Sequence, residues 1–127
     1  MYDVIIAGAG PAGLTAAIYT GRARLKTLVL EKDVFGGQVL LTYSIENFPG
    51  FTAGILSQEL IDKIHKQAED FGAEFKNEEV KKITSEADSK QVHTSSNKYQ
   101  AKSIIIAAGA HYKRLGVLGE ERLIGRG

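Results

Sequence analysis

The sequence of 127 residues contains no cysteine and only two prolines. Without cysteine the chain forms no disulfide, binds no metal through thiolates and has no cysteine nucleophile. Its longest apolar runs, Val4 to Ala9 and Ile104 to Ala108, are far shorter than the ~20 residues that a membrane-spanning helix needs. The basic and then apolar opening of a secretory signal is also missing, so we expect a cytoplasmic protein with no membrane contact.

The sequence also lacks an excess of charge of either sign. The chain has 16 Lys and Arg against 15 Asp and Glu, a formal net charge of +1. Nucleic-acid partners are therefore not expected, because they select strongly basic surfaces. The length suits one domain, and the 14 glycines indicate tight turns or a main chain that approaches a ligand closely.

The first 31 residues predict a strand, a helix and a second strand. Tyr2 to Ala7 is an apolar, β-branched run typical of a strand buried on both faces. Pro11 suits the first position of a helix that we expect to continue to Arg24. Thr27 to Leu30, ending at Glu31, then completes a parallel βαβ unit.

The middle of the chain predicts a long loop and a second helix. Asp33 to Thr52 has no periodicity, but its bulky side chains favour a packed loop. Helical spacing resumes from Leu56 to Phe71, with Ser57 as the expected N-cap and Gly72 ending the helix. The bulky loop side chains are those of Phe35, Leu40, Tyr43, Phe48 and Phe51.

The last third predicts short strands and a tail. Ala73 to Phe75 is expected to add a third parallel strand, and an antiparallel meander should follow it. Ile104 to Ile106 predicts a further buried strand that runs into the turn at Gly109. The meander strands are Glu79 to Ser85, Lys90 to Thr94 and Tyr99 to Ser103, joined by turns at residues 86–89 and 95–98.

The glycines at the first strand-to-helix junction form a GxGxxG motif. Gly8 permits the tight turn, Gly10 lets the backbone approach a pyrophosphate, and Gly13 lets helix and strand pack closely. The start of the helix offers free N–H groups and a partial positive charge to an anion. Glycine is common, so a plain tight turn without a ligand is the alternative. The motif gains weight because it directly follows a predicted strand and opens a helix.

Glu31 follows Gly13 by 18 residues and ends the second strand. A carboxylate there suits the hydroxyl groups of an adenosine ribose and repels a 2′-phosphate. The alternative is that the Lys32 ammonium accepts such a phosphate. Together the motif and the acid predict a dinucleotide site without a 2′-phosphate.

Four segments together resemble low-molecular-weight thioredoxin reductase, and the resemblance covers essentially the whole chain. It implies an α/β fold with a Rossmann-like parallel sheet, and FAD rather than NAD(P) at the first βαβ unit. The segments are Tyr2 to Ala17, Gly36-Gly37-Gln38, Ile45 to Gly50, and Gly119-Glu120-Glu121 with Gly125-Arg126-Gly127.

The same resemblance implies a set of FAD contacts. The pyrophosphate would lie on Gly8, Ala9, Gly10, Pro11, Ala12 and Gly13, and the ribose beside Glu31 and Lys32. Gly36, Gly37, Gln38, Thr42 and Asn47 would reach the ribityl and flavin portion, Val80 the adenine, and Ala108 with Gly109 would pass close to the cofactor. Two points stay open here. Gly36-Gly37 could simply turn the chain while Asn47 caps the loop, and Ala108 stands where the family usually has Thr.

Two family features are absent from the sequence: the redox CxxC, which follows the Gly-Arg-Gly segment, and the last strand with its Gly-Asp motif. We therefore expect residues 1–112 to be the first part of an FAD-binding domain. Residues 113–127 would be a linker stub toward a missing NADPH and CxxC domain. The fold would be incomplete at its C-terminal end, and the chain alone should not reduce a disulfide.

The function implied for the parent protein is NADPH-dependent thioredoxin-disulfide reduction. Its partner would be thioredoxin or a similar small redox protein, and the parent would be a homodimer. The alternatives are a related flavoprotein such as a ferredoxin-NADP reductase, or a nucleotide-binding module without catalysis. No catalytic residue and no metal site is predicted, since His65, His93 and His111 lack metal-ligand spacing.

Overall fold

A six-stranded sheet forms the centre of the computed structural model, which describes residues 1–85, 89–111 and 113–123. Its strand order is β5-β2-β1-β8-β7-β6, and β3 and β4 form a separate two-stranded sheet. The strands are β1 Tyr2–Ala7, β2 Thr27–Glu31, β3 Ser44–Ile45, β4 Ile55–Leu56, β5 Glu74–Asn77, β6 Val80–Ser85, β7 Lys90–Thr94 and β8 Lys98–Ile106. The helices are α1 Pro11–Arg22, α2 Ser57–Asp70, α3 Glu120–Leu123 and a 3₁₀ helix, Gly37–Leu41.

The predicted βαβ unit is confirmed. Strand β1 pairs in parallel with β2 and β8, and β2 pairs in parallel with β5. Alternate residues of β1 face opposite layers, as the two-residue period of a strand requires. Ile6 packs with Leu14 of α1 and Ile61 of α2, whereas Ile5 packs with Val92 of β7. The parallel part of the sheet therefore packs against the helices on one face, and on the other face its apolar side chains pack with residues of the meander strands β7 and β8 of the same sheet.

The structure corrects the expectation of two separate strands near residue 100. Lys98–Ile106 is one strand, β8, which is antiparallel to β7 and parallel to β1. Ala101 is paired on both sides, with Lys90 of β7 and Tyr2 of β1. Lys90 is the first residue of β7, so from residue 102 to residue 106 the described residues pair β8 with β1 alone and leave its other edge open. Ile106 shares a face of the sheet with Ile104, but only Ile104 packs against the core cluster on that face; Ile106 is 73% exposed, and the prediction that it is buried is wrong.

Two helix boundaries differ from those predicted. Helix α1 ends at Arg22 rather than Arg24, whose φ of 58° is outside the helical range. Ser57 is the first residue of α2, and its extended neighbour Leu56 is the N-cap. The Ser57 hydroxyl donates to the carbonyl groups of Thr42 and Tyr43. Gly72 follows α2 with a φ of +88°, as its position after the helix predicts.

The segment between β2 and α2 is only partly packed. The Phe35 ring lies 5.6 Å from the Phe75 ring, and Leu40 packs against the core. Tyr43, by contrast, is 84% exposed. The prediction of a packed loop thus holds for Phe35 and Leu40 and fails at Tyr43.

The described tail, residues 113–123, is held by its own polar groups. The N–H groups of Leu115 and Gly116 donate to the Glu120 carboxylate and lower its pKa. Arg114 forms an ion pair with Glu121 at 2.8 Å. Residues 124–127, with the Gly-Arg-Gly segment, and residues 86–88 of the predicted turn lie outside the described part. Within that part no helix has the length and apolarity to cross a membrane.

Candidate cofactor-binding site

The turn between β1 and α1 requires glycine at two positions. Gly8 has a φ of +107°, and a Cβ there would lie 2.2 Å from the carbonyl oxygen of Ala107, the residue after β8. A Cβ at Gly13 would lie 1.9 Å from the carbonyl oxygen of Gly8. The turn is therefore closed on its inner side by backbone alone, as the motif predicts.

Gly10 is different, because a Cβ there would meet nothing within 4 Å. It is the N-cap of α1 and provides no side chain, while Pro11 begins the helix and the first turn has no acidic residue. Within the described residues, the N–H groups of Gly10, Ala12 and Gly13 have no recorded acceptor. The start of α1 thus presents free donors and the positive end of the helix dipole to an open space, which fits an anionic diphosphate.

Glu31, at the carboxyl end of β2, is fixed against this turn. Its Oε2 accepts the Ala9 N–H at 2.8 Å, and its Oε1 accepts the N–H groups of Lys32 at 2.8 Å and Asp33 at 3.2 Å. A carboxylate has about four acceptor positions, so capacity remains for a ribose hydroxyl. The Lys32 ammonium is 3.6 Å from the Asp33 carboxylate, an exposed pairing that leaves the charge of Glu31 uncompensated.

A cleft of about 740 Å³ opens above the turn and the end of β2. Nine of the residues predicted to contact FAD line it, so the structure brings together segments that are far apart in the sequence. Those nine are Gly10, Pro11, Ala12, Glu31, Lys32, Gly37, Gln38, Ala108 and Gly109.

Three further predicted residues, Gly8, Ala9 and Gly13, form the backbone beneath the cleft and do not line it. Gly36, whose φ is +124°, also lies behind the wall, and its N–H donates to the Ala9 carbonyl at 2.8 Å. This bond joins the loop after β2 to the glycine turn. The pair Gly36-Gly37 therefore does more than turn the chain, since a Cβ on Gly37 would approach the Gly10 Cα to 3.4 Å.

Thr42 and Asn47 lie in a second, adjoining groove of about 510 Å³. The two spaces share one lining residue, Val39. Asn47 therefore faces a groove, and a role in capping the loop is not needed to explain its position. Val80 lines neither space; it pairs with Thr94 and packs against the meander side of the core.

The cleft also contains residues that the sequence did not suggest. Asp33 and Val34 follow Glu31 by two and three residues, so their closeness to it in the sequence was an available signal. His111 and Arg114 come from the segment after Gly109, and the Arg114 guanidinium is paired with Glu121 at 2.8 Å. The lining residues not predicted are Asp33, Val34, Val39, Leu41, Ala107, Ala110, His111 and Arg114.

A glycine-rich turn at the carboxyl end of parallel strands, with an acid ending the next strand, defines a Rossmann-like α/β protein with a dinucleotide-type cleft. The comparison with known proteins agrees. The chain belongs to the pyridine nucleotide-disulphide oxidoreductase family, whose model matches residues 2–127.

Its relatives confirm the resemblance seen in the sequence. The chain is 50% identical over 127 residues to a thioredoxin reductase of Bacillus subtilis, covering all of this chain and 40% of that protein. Thioredoxin reductase of Lactococcus lactis has a similar structure, with a TM-score of 0.90 and 44% sequence identity. The match covers 100% of this chain and 42% of that chain. A ferredoxin-flavin thioredoxin reductase from Clostridium acetobutylicum gives a TM-score of 0.80 and 32% sequence identity. That match covers 99% of this chain and 43% of the other chain. The chain thus spans about 40% of the length of the curated relatives.

Proposed function

We propose that this chain is the FAD-binding part of an NADPH-dependent thioredoxin-disulfide reductase. The observation that carries the proposal is the open space at Gly10, where a Cβ would meet nothing within 4 Å although glycines on either side are enclosed by backbone. That space faces a cleft of about 740 Å³ bordered by Glu31. Its shape and its free N–H donors fit a diphosphate that is joined to an adenosine ribose.

In this proposal the chain binds and orients the cofactor. The N–H groups of Gly10, Ala12 and Gly13 would hold the pyrophosphate, and Glu31 the adenosine ribose, with Lys32 beside it. Because Glu31 is negative, the site would favour FAD over a 2′-phosphorylated dinucleotide. The flavin and ribityl portions would lie along Gly37 and Gln38 and reach Thr42 and Asn47, past Ala108 and Gly109. Val80, which lines neither space, would offer its backbone to the adenine.

FAD, when bound, supplies two-electron chemistry that transfers reducing equivalents from NADPH to a disulfide. The chain has no cysteine, so it does not contain the dithiol, which other parts of the proposed parent protein would provide together with the NADPH site. We therefore expect the 127 residues alone to bind flavin without reducing a disulfide. In the parent protein the partner would be thioredoxin or a similar small redox protein, and the parent would be a cytoplasmic homodimer, with residues 113–127 leading toward its second domain.

Uptake of FAD by the purified chain tests the proposal. We expect a yellow complex. The flavin fluorescence should change on binding, and denaturation should release the flavin. A folded chain, verified by circular dichroism, that takes up no added FAD would contradict it and favour a nucleotide-binding module without flavin chemistry. The parent reading frame beyond Gly127 would separate a thioredoxin reductase, which requires a CxxC, from a ferredoxin-NADP reductase that lacks it. The identity of 50% to thioredoxin reductase favours the first.

A further inference from the structure

The three residues after Glu31 form part of the cleft wall but have little packing of their own. The side chains of Asp33 and Val34 are 70% and 69% exposed. Both residues nevertheless line the cleft next to Glu31. Their position must therefore be set by hydrogen bonds to the backbone and by the residue that follows them.

Two side chains hold the backbone of Asp33 from opposite ends. The Glu31 Oε1 accepts the Asp33 N–H at 3.2 Å, and the Asn77 Nδ2 donates to the Asp33 carbonyl oxygen. Asn77 is the last residue of β5 and pairs in register with Glu31, the last residue of β2. The two strands thus end side by side, and the side chain of each reaches the same residue of the loop.

A second contact from β5 secures the next part of the segment. Phe75 and Asn77 are two residues apart, so they point to the same face of the sheet. The Phe75 ring packs against the Phe35 ring at 5.6 Å, edge to face. Strand β5 therefore fixes both Asp33 and Phe35, through an amide and an aromatic ring. Lys76, between them, bonds instead to Tyr99 of the meander at 3.2 Å.

We propose that Asn77 is a positioning residue for the ribose end of the cleft. By holding the Asp33 carbonyl, its amide keeps the Lys32 and Asp33 N–H groups directed at the Glu31 carboxylate, which then presents its remaining acceptor positions to a ribose in one fixed orientation. This inference rests on the proposed function, since it concerns the adenosine half of the same site. Asn77 itself does not line the cleft and acts only through Asp33 and Glu31.

The test compares Asn77→Ala with Asn97→Ala. Asn97 also donates its amide to a residue distant in sequence, Glu78, at 2.9 Å, but lines neither the cleft nor the adjoining groove, so it is a matched control. Asn77→Asp serves as a second variant, since it preserves the size of the side chain and removes the donor. Each protein is titrated by calorimetry with ADP and with inorganic pyrophosphate, and hydrogen exchange is measured at the Lys32 and Asp33 amides.

We expect both Asn77 variants to bind ADP about tenfold more weakly, which is the effect of one lost hydrogen bond. Their affinity for pyrophosphate should stay within about twofold of the original, because that ligand contacts only the glycine turn. Exchange at Lys32 and Asp33 should accelerate in both variants. Asn97→Ala should change none of these values.

Three results would overturn the inference. The first is unchanged ADP affinity in both Asn77 variants while the original chain binds ADP. The second is an equal loss of ADP and pyrophosphate affinity, which would indicate a general structural effect rather than positioning of the ribose end. The third is an original chain that binds neither ADP nor FAD, and this result alone would also reject the proposed function.

Discussion

The Glu31 carboxylate accepts a hydrogen bond from the Ala9 N–H at 2.8 Å, across 22 residues of sequence. This bond ties the end of β2 to the glycine-rich turn, so the group expected to bind the ribose and the turn expected to bind the pyrophosphate form one unit. The same carboxylate accepts the Lys32 and Asp33 N–H groups. Glu31 therefore has a structural role whether or not a ligand is bound.

Substitution of Glu31→Gln should weaken both roles. An amide presents one acceptor oxygen where the carboxylate has two, and its NH₂ group would face a backbone donor. We expect a loss of about 1–3 kcal/mol in the free energy of unfolding, measured by urea denaturation. The preference for 5′-AMP over adenosine 2′,5′-bisphosphate should also decrease, because the repulsive charge is gone. Glu59→Gln, whose carboxylate is exposed and paired with Lys63 at 3.3 Å, is the control; an unchanged preference in Glu31→Gln would refute the ribose role.

Gly10→Ala and Gly13→Ala should separate binding from folding. At Gly10 the new methyl group meets no protein atom within 4 Å, so the melting temperature should hardly change while FAD affinity falls by about 100-fold, or ~2.7 kcal/mol. At Gly13 the methyl would lie 1.9 Å from the Gly8 carbonyl oxygen, and overpacking should cost about 3 kcal/mol of stability. Thermal melts and FAD titrations measure both effects. Normal FAD binding by Gly10→Ala would show that the phosphates lie elsewhere.

The raised pKa of the Tyr2 hydroxyl leads us to expect a loss of folding stability at alkaline pH. Burial, together with the hydrogen bond that its hydroxyl donates to Glu74 at 2.7 Å, raises the pKa of Tyr2 to about 12 from 10.0. The folded state thus holds this proton more tightly than the unfolded state, and the stabilisation is complete below pH 10 and is lost as the pH rises toward 12. Tyr2→Phe should be less stable at pH 7 and should show a shallower decline over that interval. The exposed Tyr19→Phe should behave like the original chain; parallel declines in all three proteins would contradict the assignment.

The open edge of β8 predicts self-association. Beyond Ala101 the described residues pair β8 with β1 alone, and Ile106 is 73% exposed. Exposed edges with apolar side chains pair readily with other chains. Ile106→Lys should reduce association in sedimentation velocity and change stability by no more than about 0.5 kcal/mol. If the original chain is monomeric at high concentration, or Ile106→Lys associates equally, this edge is not responsible.

The local parts of the fold could be predicted because neighbouring residues determine them. The GxGxxG turn, the strand before it and the acid at residue 31 follow from the period of apolar side chains and from the geometry that glycine allows. Of the predicted residues that meet in the cleft, those of the glycine turn and Glu31 follow from the motif and from the rule that the ends of parallel strands share an edge of the sheet. Gly37, Gln38, Ala108 and Gly109 were predicted only from the resemblance to thioredoxin reductase.

The remaining features depend on contacts between distant segments. No local pattern shows that Lys98–Ile106 is one strand, because its partner changes from β7 to β1 at Ala101. Asn77 reaches Asp33 across 44 residues, and an asparagine that ends a strand has no sequence signature of that role. Ser57 looks like a helix cap, but it lies one residue inside the helix, and its hydroxyl bonds to the distant carbonyl groups of Thr42 and Tyr43.

The most direct test of the account is a titration of the ¹⁵N-labelled chain with FAD, followed by the chemical shifts of its amides. If main-chain donors at the start of α1 hold the diphosphate, the Gly10, Ala12 and Gly13 signals should move most and saturate together, and Gly10→Ala should abolish the change. The account would be contradicted if FAD binds while these three signals stay in place and the largest shifts arise away from the turn between β1 and α1.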